Sequence, residues 1–235
     1  MTRVNCVVAR QFLGNANFEQ RSLLGSARLP VVDPGDEAAL RAALAESSAI
    51  VSCFEDGKLQ LSAVGWILAQ WEQTLGDGES GEAQPPLEQV VLMSRFGTER
   101  AGDLIFKAKN AKAVVTGQLQ AYADCESLLG RFVEVHGQVR PTLLRCGNLV
   151  GCGPFAKVDT LAQLEDEAAD ATIKDFVVMR GDDGEGQVTR RHAALCAARA
   201  VADGCAGAYS AYSRKSDDAY AVAADGVSAM LKAAS

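Results

Sequence analysis

Short apolar runs alternate with longer amphipathic segments along the chain, and this alternation constrains the fold more than any other feature. The apolar runs are rich in β-branched residues and lack polar alternation, which is typical of strands covered on both faces. They lie at Val4–Ala9, Leu29–Asp33, Ala49–Phe54, Gln89–Met93, Arg140–Arg145 and Phe176–Met179. Segments with helical spacing lie at 37–48, Leu61–Leu75, Leu119–Arg131, Val158–Ala169, Arg190–Ala202 and Ala219–Ala233. Strands that alternate with helices favour right-handed crossovers, so we predict an α/β fold with a doubly wound, mostly parallel, Rossmann-like sheet.

The length and the turn residues favour a single domain. A chain of 235 residues, 48% of them hydrophobic, can bury one substantial core, so residues 1–235 are predicted to form one domain. Pro34-Gly35-Asp36 marks a helix start with acidic residues in the first turn, and Thr189 is the predicted N-cap of a late helix. Residues 76–87 are polar and rich in Gly and Pro, so we expect an exposed loop there.

The charge pattern argues against nucleic acid and membrane partners. The net charge is -7 and the pI is about 5.0, and no Lys/Arg block interrupts this acidic background, so no nucleic-acid partner is predicted. No apolar run approaches the ~20 residues that span a bilayer, so peripheral association with a membrane would need a partner. The first ten residues have neither a secretory nor a transit composition. The expectation is a cytoplasmic protein, or one whose targeting segment lies upstream.

The seven cysteines indicate buried thiols in a reducing compartment. They stand at 6, 53, 125, 146, 152, 196 and 205, without a C-x-x-C pair, in an odd and dispersed set. Cys146 and Cys152 form the tightest group, but a zinc site needs about four N/S ligands and the chain has only two His. No metal site is predicted.

The ordered segments VVDPGDEAALRAAL, AIVSCF, VVLMSRFG, PTLLRCGNLVG and GQVTRRHAALCAARAVAD resemble the atypical short-chain dehydrogenase/reductases of the NmrA-like, NAD(P)-binding Rossmann superfamily. The family's Asp-containing turn falls on Asp33, and its Ser-x-x-Gly element falls on Ser94 with Gly97. Its Glu-containing helix falls on Glu126, its Thr-Ile-Leu-Arg-Pro-Gly strand end on 142–147 and its late helix on 188–194. The resemblance covers most of the chain from Val4 onward. It implies a reductase-like fold, with the family's features placed on these residues.

The family's glycine-rich phosphate loop is not found in the sequence. A G-x-x-G-x-x-G turn brings the backbone close to the pyrophosphate of a dinucleotide, but Gly14 and Gly25 are too far apart to form one. By its position before Asp33, the resemblance places Val4–Ala9 at the family's second strand. The first strand, the glycine loop and the first helix are therefore expected to be missing or degenerate, or to lie upstream.

The proton-transfer pair of active family members is altered as well. In their Tyr-x-x-x-Lys pair, the lysine charge stabilises the tyrosinate, but four residues after Tyr122 stands Glu126. A negative charge there would raise the phenol pKa, so Tyr122 is interpreted as an ordinary helix aromatic and no catalytic residue is assigned. Ser94 corresponds either to the family's active serine or to a cap of the next helix.

Four residues are assigned to a vestigial cofactor site by the resemblance: Arg10, Asp33, Ser94 and Gly147. Arg10 falls where relatives place a basic residue near the NADP 2′-phosphate, although a surface arginine is the alternative. Gly147 lies in a loop after a strand, where substrates approach such sheets and where glycines also make plain turns. No bound cofactor is expected, with NADP as the alternative.

Two functions of different class remain open at this stage. The first is a non-catalytic, reductase-like accessory, structural or assembly subunit of a photosynthetic or respiratory complex, with protein partners and a chloroplast or cytoplasmic location. The second is an NAD(P)H-dependent oxidoreductase whose cofactor loop lies upstream. The alteration at Tyr122 and Glu126 leads us to expect the first, and therefore to lean against an enzyme.

Overall fold

A computed structural model of the protein describes residues 6–7, 31–33, 35–76, 87–109, 111–150, 176–182, 186–213 and 224–234. The chain divides into two compact units. Unit 1 comprises Met1–Ser47, Ile67–Pro85 and Gly151–Ala168, and unit 2 comprises Ser48–Trp66, Pro86–Val150 and Ala169–Ser235. The predicted helix at Val158–Ala169 and most of the predicted loop at 76–87 lie outside the described residues.

The described residues contain strands and helices in the order that the apolar runs predict, together with further short strands and helices that were not predicted. The strands are β1 (Cys6–Val7), β2 (Val31–Val32), β3 (Ala49–Ser52), β4 (Gln89–Arg95), β5 (Arg140–Cys146), β6 (Asn148–Val150), β7 (Phe176–Arg180), β8 (Gln187–Thr189) and β9 (Gly207–Ser213). The helices are α1 (Glu37–Ala45), α2 (Gly57–Gly76), α3 (Leu104–Lys109), α4 (Ala111–Val115), α5 (Gln118–Val135), α6 (Arg190–Ala202) and α7 (Ala224–Ala234).

In unit 1, β1 pairs with β2 in parallel, with Cys6 opposite Val31. A doubly wound sheet has the strand order 3-2-1-4, in which the third strand neighbours only the second. The pairing is compatible with Val4–Ala9 as the second strand, but the first and second strands are neighbours as well, so that interpretation stays a prediction. Helix α1 begins after Asp36, whose carboxylate accepts a hydrogen bond from the Ala39 backbone N–H at 3.0 Å.

In unit 2, seven strands form a sheet in the order β3-β4-β5-β9-β8-β6, and β7 pairs with β9 outside this path. The pairs β3–β4, β4–β5, β5–β9 and β6–β8 are parallel, whereas β7 runs antiparallel to β9. The prediction of a mostly parallel sheet with flanking helices is confirmed.

Strand β4 shows why the apolar runs lack polar alternation. Gln89 lies on one face, where its amide donates to the carbonyl of Ala200 in α6 at 3.1 Å. Ser94 lies on the opposite face and donates to the carboxylate of Glu126 in α5 at 2.5 Å. Because helices cover both faces, the residues of β4 between these two, 90–93, are all buried.

The main core of unit 2 lies between the sheet and the helices α6 and α7. Its largest contributors from the sheet include Leu144, Phe176 and Tyr209, each about 1% exposed or less. Tyr209 belongs to β9, which the sequence analysis did not predict. That strand has the sequence GAYSAYS, in which small and polar residues hide the apolar period.

Two further predictions concern the helices. Thr189 caps α6 as predicted, since its hydroxyl accepts a hydrogen bond from the His192 N–H at 3.0 Å. Within the described residues, no helix is both long and apolar enough to cross a membrane.

Candidate functional site

A cleft of about 210 Å³ opens at the carboxyl ends of β3, β4 and β5 in unit 2. In open α/β sheets, ligands bind outside the carboxyl ends of the strands, because the loops that follow the strands diverge there. The cleft is lined by Cys53, Phe54, Glu55, Met93, Ser94, Arg95, Tyr122, Cys146, Gly147, Asn148 and Leu149. It is the candidate functional site of the described part of the chain.

The loop between β3 and α2 forms one wall of the cleft, and glutamine side chains hold it in place. Gln60 accepts a hydrogen bond from the Phe54 N–H at 2.7 Å, and its amide donates to the carbonyl of Met93 in β4. Gln118 of α5 accepts from the Gly57 N–H at 2.6 Å. Backbone close to the cleft is therefore fixed by buried or half-buried amides.

An ion pair lies at the base of the site. Arg145 on β5 is 3% exposed, and its Nη2 and Nε atoms lie 2.7 and 3.1 Å from the two carboxylate oxygens of Glu126. Ser94 and Thr98 donate to the same carboxylate at 2.5 and 2.9 Å, and Arg145 also pairs with Glu99 at 2.5 Å. Burial alone would lower the pKa of Arg145, but the two carboxylates outweigh it and raise that pKa.

The turn after β4 is held by Asp182. Its carboxylate accepts a hydrogen bond from the Gly97 N–H at 2.7 Å and lies 3.6 Å from Nε of Arg100. Burial raises the pKa of Asp182, although the Gly97 N–H and the nearby arginines act in the opposite direction. Gly97 has φ of 86°, a left-handed conformation that favours glycine.

Tyr122 projects from α5 into the cleft and is 5% exposed. Its hydroxyl donates to the carbonyl of Phe54 at 3.2 Å. Burial raises the pKa of Tyr122 to about 12, the charge of Arg95 opposes this rise, and the carboxylates of Asp56 and Glu55 add to it. The interpretation of Tyr122 as an ordinary helix aromatic is incomplete, because it lines the cleft. Glu126 is not among the groups that raise this pKa, and its carboxylate is paired with Arg145.

The backbone of Gly186 lies so close to Gly147 that only glycine fits at position 147. A Cβ atom at this position would lie 2.3 Å from the carbonyl oxygen of Gly186 and 3.2 Å from the ring of Phe96. The Asn148 N–H donates to the same Gly186 carbonyl at 3.1 Å, so the strand that follows Gly147 pairs directly with β8. The glycine brings β6 and β8 together beside the cleft.

The charged groups of the cleft differ in their pairing. Glu55 makes two hydrogen bonds with Arg190 at the start of α6, at 2.5 and 2.9 Å, and hydrogen bonding to Arg190 is the main cause of the lowered pKa of Glu55. Arg95 instead donates from Nη2 to the amide oxygen of Asn148 at 2.6 Å. Glu55 is thus neutralised by a cation, whereas the contact of Arg95 is with a neutral amide.

The thiols do not form a metal site within the described residues, where no cluster of three or more His, Cys, Asp and Glu side chains occurs. Cys146 is 2% exposed, and burial raises the pKa of its thiol to about 12. Cys53 is exposed at the cleft, and Cys152 lies outside the described residues.

The four predicted cofactor residues fall in different places. Ser94 and Gly147 both line the cleft, whereas Asp33 belongs to unit 1, where its carboxylate accepts a hydrogen bond from the Gly35 N–H at 2.7 Å. Arg10 lies outside the described residues. The assignment of these residues to a cofactor remains a prediction. Arg95 was not predicted from the sequence, although its position next to Ser94 at a strand end was the available signal.

The order of strands, their parallel pairing and a cleft at their carboxyl ends define a Rossmann-like fold. Solved structures share it. The structure of ChuY, an anaerobillin reductase from Escherichia coli, aligns with 92% of this chain and 87% of its own chain, with a TM-score of 0.57 and 17% sequence identity. A short-chain dehydrogenase/reductase from Veillonella parvula in complex with NADP aligns with 92% of this chain and 86% of its own, with a TM-score of 0.56 and 12% identity. A putative NAD-dependent epimerase/dehydratase from Bacillus halodurans aligns with 97% of this chain and 99% of its own, with a TM-score of 0.52 and 12% identity.

No protein-family model matches the chain, and no curated protein matches it. At these levels of identity the similar structures show the fold alone. They confirm the Rossmann-like fold that the sequence resemblance implied.

Proposed function

We propose that this protein is an NAD(P)H-dependent oxidoreductase that reduces a small carbonyl compound in the cleft. The cleft at the carboxyl ends of β3, β4 and β5 carries the proposal, because this is where doubly wound folds bind their ligands. The reductase and the NADP complex that share the fold support it.

The lining of the cleft fits one end of a dinucleotide. Its volume of about 210 Å³ is below the roughly 300–1,000 Å³ of a typical ligand pocket, so the cleft accommodates a ring and a small substrate, not a whole cofactor. Phe54, Met93 and Leu149 offer apolar contact to a nicotinamide ring.

NAD(P)H bound in the cleft would supply a hydride to the carbonyl carbon of the substrate, and the carbonyl oxygen would take up a proton. Tyr122 is a weak acid for this purpose, because its pKa is about 12 and no lysine stands four residues later. Its hydroxyl is also directed to the Phe54 carbonyl. Since Cys53 and Asn148 are exposed at the cleft, water can reach the substrate oxygen and deliver the proton.

The cleft can be tested by filling it. Cys53→Trp places a large ring in the cleft, whereas Cys53→Ser changes one atom and serves as the matched control. We expect NADPH to bind the wild type and Cys53→Ser, measured by its fluorescence, and we expect both to oxidise NADPH with an aldehyde substrate. Cys53→Trp should lose both signals while its circular dichroism is unchanged.

If the wild type gives no NADPH signal up to millimolar concentration, the proposal is wrong. If Cys53→Trp retains both activities, the cleft is not the site.

A second candidate is a non-catalytic accessory or assembly subunit. The observation that favours it is Glu126, which stands where active family members have lysine and is held by Arg145. The two candidates differ in turnover. A chain that binds no NADPH, reduces no aldehyde and copurifies with one stoichiometric partner from its native source would be an accessory subunit.

A further inference from the structure

Arg95 is the last residue of β4, opposite Cys146 of β5, and its guanidinium lies at the cleft. Its Nη2 atom donates to the side-chain oxygen of Asn148 at 2.6 Å. Within the described part of the chain, Arg95 has no carboxylate partner at ion-pair distance. A guanidinium has five N–H donors, and the Asn148 amide adds two more. The pair therefore presents several donors that a ligand can use.

The other ionisable side chains of the cleft leave the charge of Arg95 uncompensated. Glu55 is held by the bidentate contact with Arg190. Tyr122 and Cys146, each with a pKa of about 12, are neutral at pH 7. The lining of the cleft thus contains a guanidinium without a carboxylate partner among the described residues, although the whole chain carries -7. Repulsion from distant surface carboxylates is screened beyond about 8–10 Å in physiological salt.

We infer that Arg95 and Asn148 form an anion-binding site that takes a carboxylate group of the substrate. The inference rests on the proposed function, because it assigns the substrate to the class of carboxylated carbonyl compounds. A planar guanidinium matches a carboxylate through two parallel hydrogen bonds, and a neutral amide beside it contributes a further N–H without cancelling its charge. A carboxylate bound there lies beside Tyr122, whose hydroxyl is close enough to Arg95 to be influenced by its charge.

The probes are benzoate and its neutral isostere benzamide, with binding measured by isothermal titration calorimetry on the full chain. Arg95→Gln should weaken benzoate binding about tenfold or more, the loss expected for a charge-assisted hydrogen bond, and leave benzamide unchanged. Arg95→Lys should restore part of the affinity, since it keeps the charge but not the planar fork. The control is Arg140→Gln, which removes the same charge at the amino end of β5, where Arg140 pairs with Glu88. It should change neither affinity.

A second variant keeps Arg95 and cancels its charge. Asn148→Asp places a carboxylate where the amide oxygen lies 2.6 Å from Nη2, so an internal ion pair forms. Benzoate binding should fall as far as it does in Arg95→Gln. Because Asn148 is exposed, this variant tests the inference without removing a buried side chain.

The outcomes separate this inference from the proposed function. Equal benzoate affinity in the wild type, Arg95→Gln and Asn148→Asp would overturn the anion site. Weaker NADPH binding in Arg95→Gln with unchanged benzoate binding would also overturn it, because the anion bound would then be a cofactor phosphate. If benzoate binding depends on Arg95 but the wild type binds no NADPH, the anion site stands and the reductase proposal fails.

Discussion

Glu126 is a single residue whose interpretation changes once its neighbours are known. By sequence it is a carboxylate where a lysine is expected, and by structure it is the main partner of the buried Arg145. A buried arginine needs such a partner, because desolvating an unpaired charge is costly. The residue that removes the family's proton-transfer pair therefore has a structural role in this chain.

Glu126→Gln should destabilise the protein by roughly 3 kcal/mol, at the low end of the ~3–5 kcal/mol for a broken buried pair, since the amide oxygen still accepts a hydrogen bond. Urea unfolding measures the change. The control is Glu99→Gln, which alters the other partner of Arg145, 57% exposed. It should cost less than about 1 kcal/mol. Equal losses in the two variants would contradict the dominant role of Glu126.

The pKa of Tyr122 can be measured directly. Tyrosinate absorbs in the ultraviolet, so the wild type and Tyr122→Phe are titrated at that wavelength and the two curves are subtracted. The difference should give a pKa near 12 for Tyr122, above the ordinary 10.0. Between pH 10 and about pH 12 the unfolded chain loses the phenol proton and the folded chain keeps it, so the free energy of unfolding falls as pH rises. At 1.36 kcal/mol for each pKa unit, the wild type should lose roughly 2–3 kcal/mol relative to Tyr122→Phe. A difference titration centred at 10 would show that the phenol is not desolvated.

At the scale of elements, local signals placed most helices and strands within a few residues. Asp36 starts α1 and Thr189 starts α6, because a side-chain oxygen satisfies a backbone N–H within the same turn. Strand β9 was overlooked because its Ala and Ser residues have little hydrophobic signal. Its position between β5 and β8 comes from pairing with strands distant in sequence.

The junction between β5 and β6 depends on one glycine. Gly147→Ala would place a Cβ 2.3 Å from the Gly186 carbonyl, so β6 and β8 must separate. We expect a loss of about 1–3 kcal/mol, as for other overpacked sites, in thermal or urea unfolding. Gly130→Ala is the matched control, since nothing lies within 4 Å of a Cβ there. It stands in the exposed face of α5 and should stabilise the protein by about 0.5–1 kcal/mol. A neutral Gly147→Ala would show that the approach of Gly186 is not close.

At the scale of the whole molecule, the sequence predicts one domain over residues 1–235. That prediction is testable with the two tryptophans, because Trp66 belongs to unit 2 and Trp71 to unit 1. Trp66→Phe leaves fluorescence from unit 1 alone, and Trp71→Phe leaves it from unit 2 alone. A single domain unfolds cooperatively, so in each variant the fluorescence and far-ultraviolet circular dichroism transitions should coincide. A fluorescence midpoint that departs from the circular dichroism midpoint in either variant would indicate two domains.

The candidate site was only partly predictable. Ser94 and Gly147 were found because they follow recognisable strand ends. Arg95, Phe54 and Asn148 have no motif, and their common location follows from the parallel register that aligns β3, β4 and β5. These parallel strands are joined by long crossovers, so no short turn fixes their register and the spacing along the chain does not show which residues share an edge.

The sequence by itself determined the alternation of strands and helices, the parallel character of the sheet, the capped helix starts and the altered Tyr122–Glu126 pair. These follow from periodicity and side-chain chemistry, which act over a few residues. Only the tertiary structure decided that Arg145 neutralises Glu126, that burial sets the pKa of Tyr122, and that Arg95 lies in a cleft without a carboxylate partner among the described residues. The reason is physical: charge balance and desolvation depend on which side chains meet, and these side chains come from strands and helices far apart in the chain.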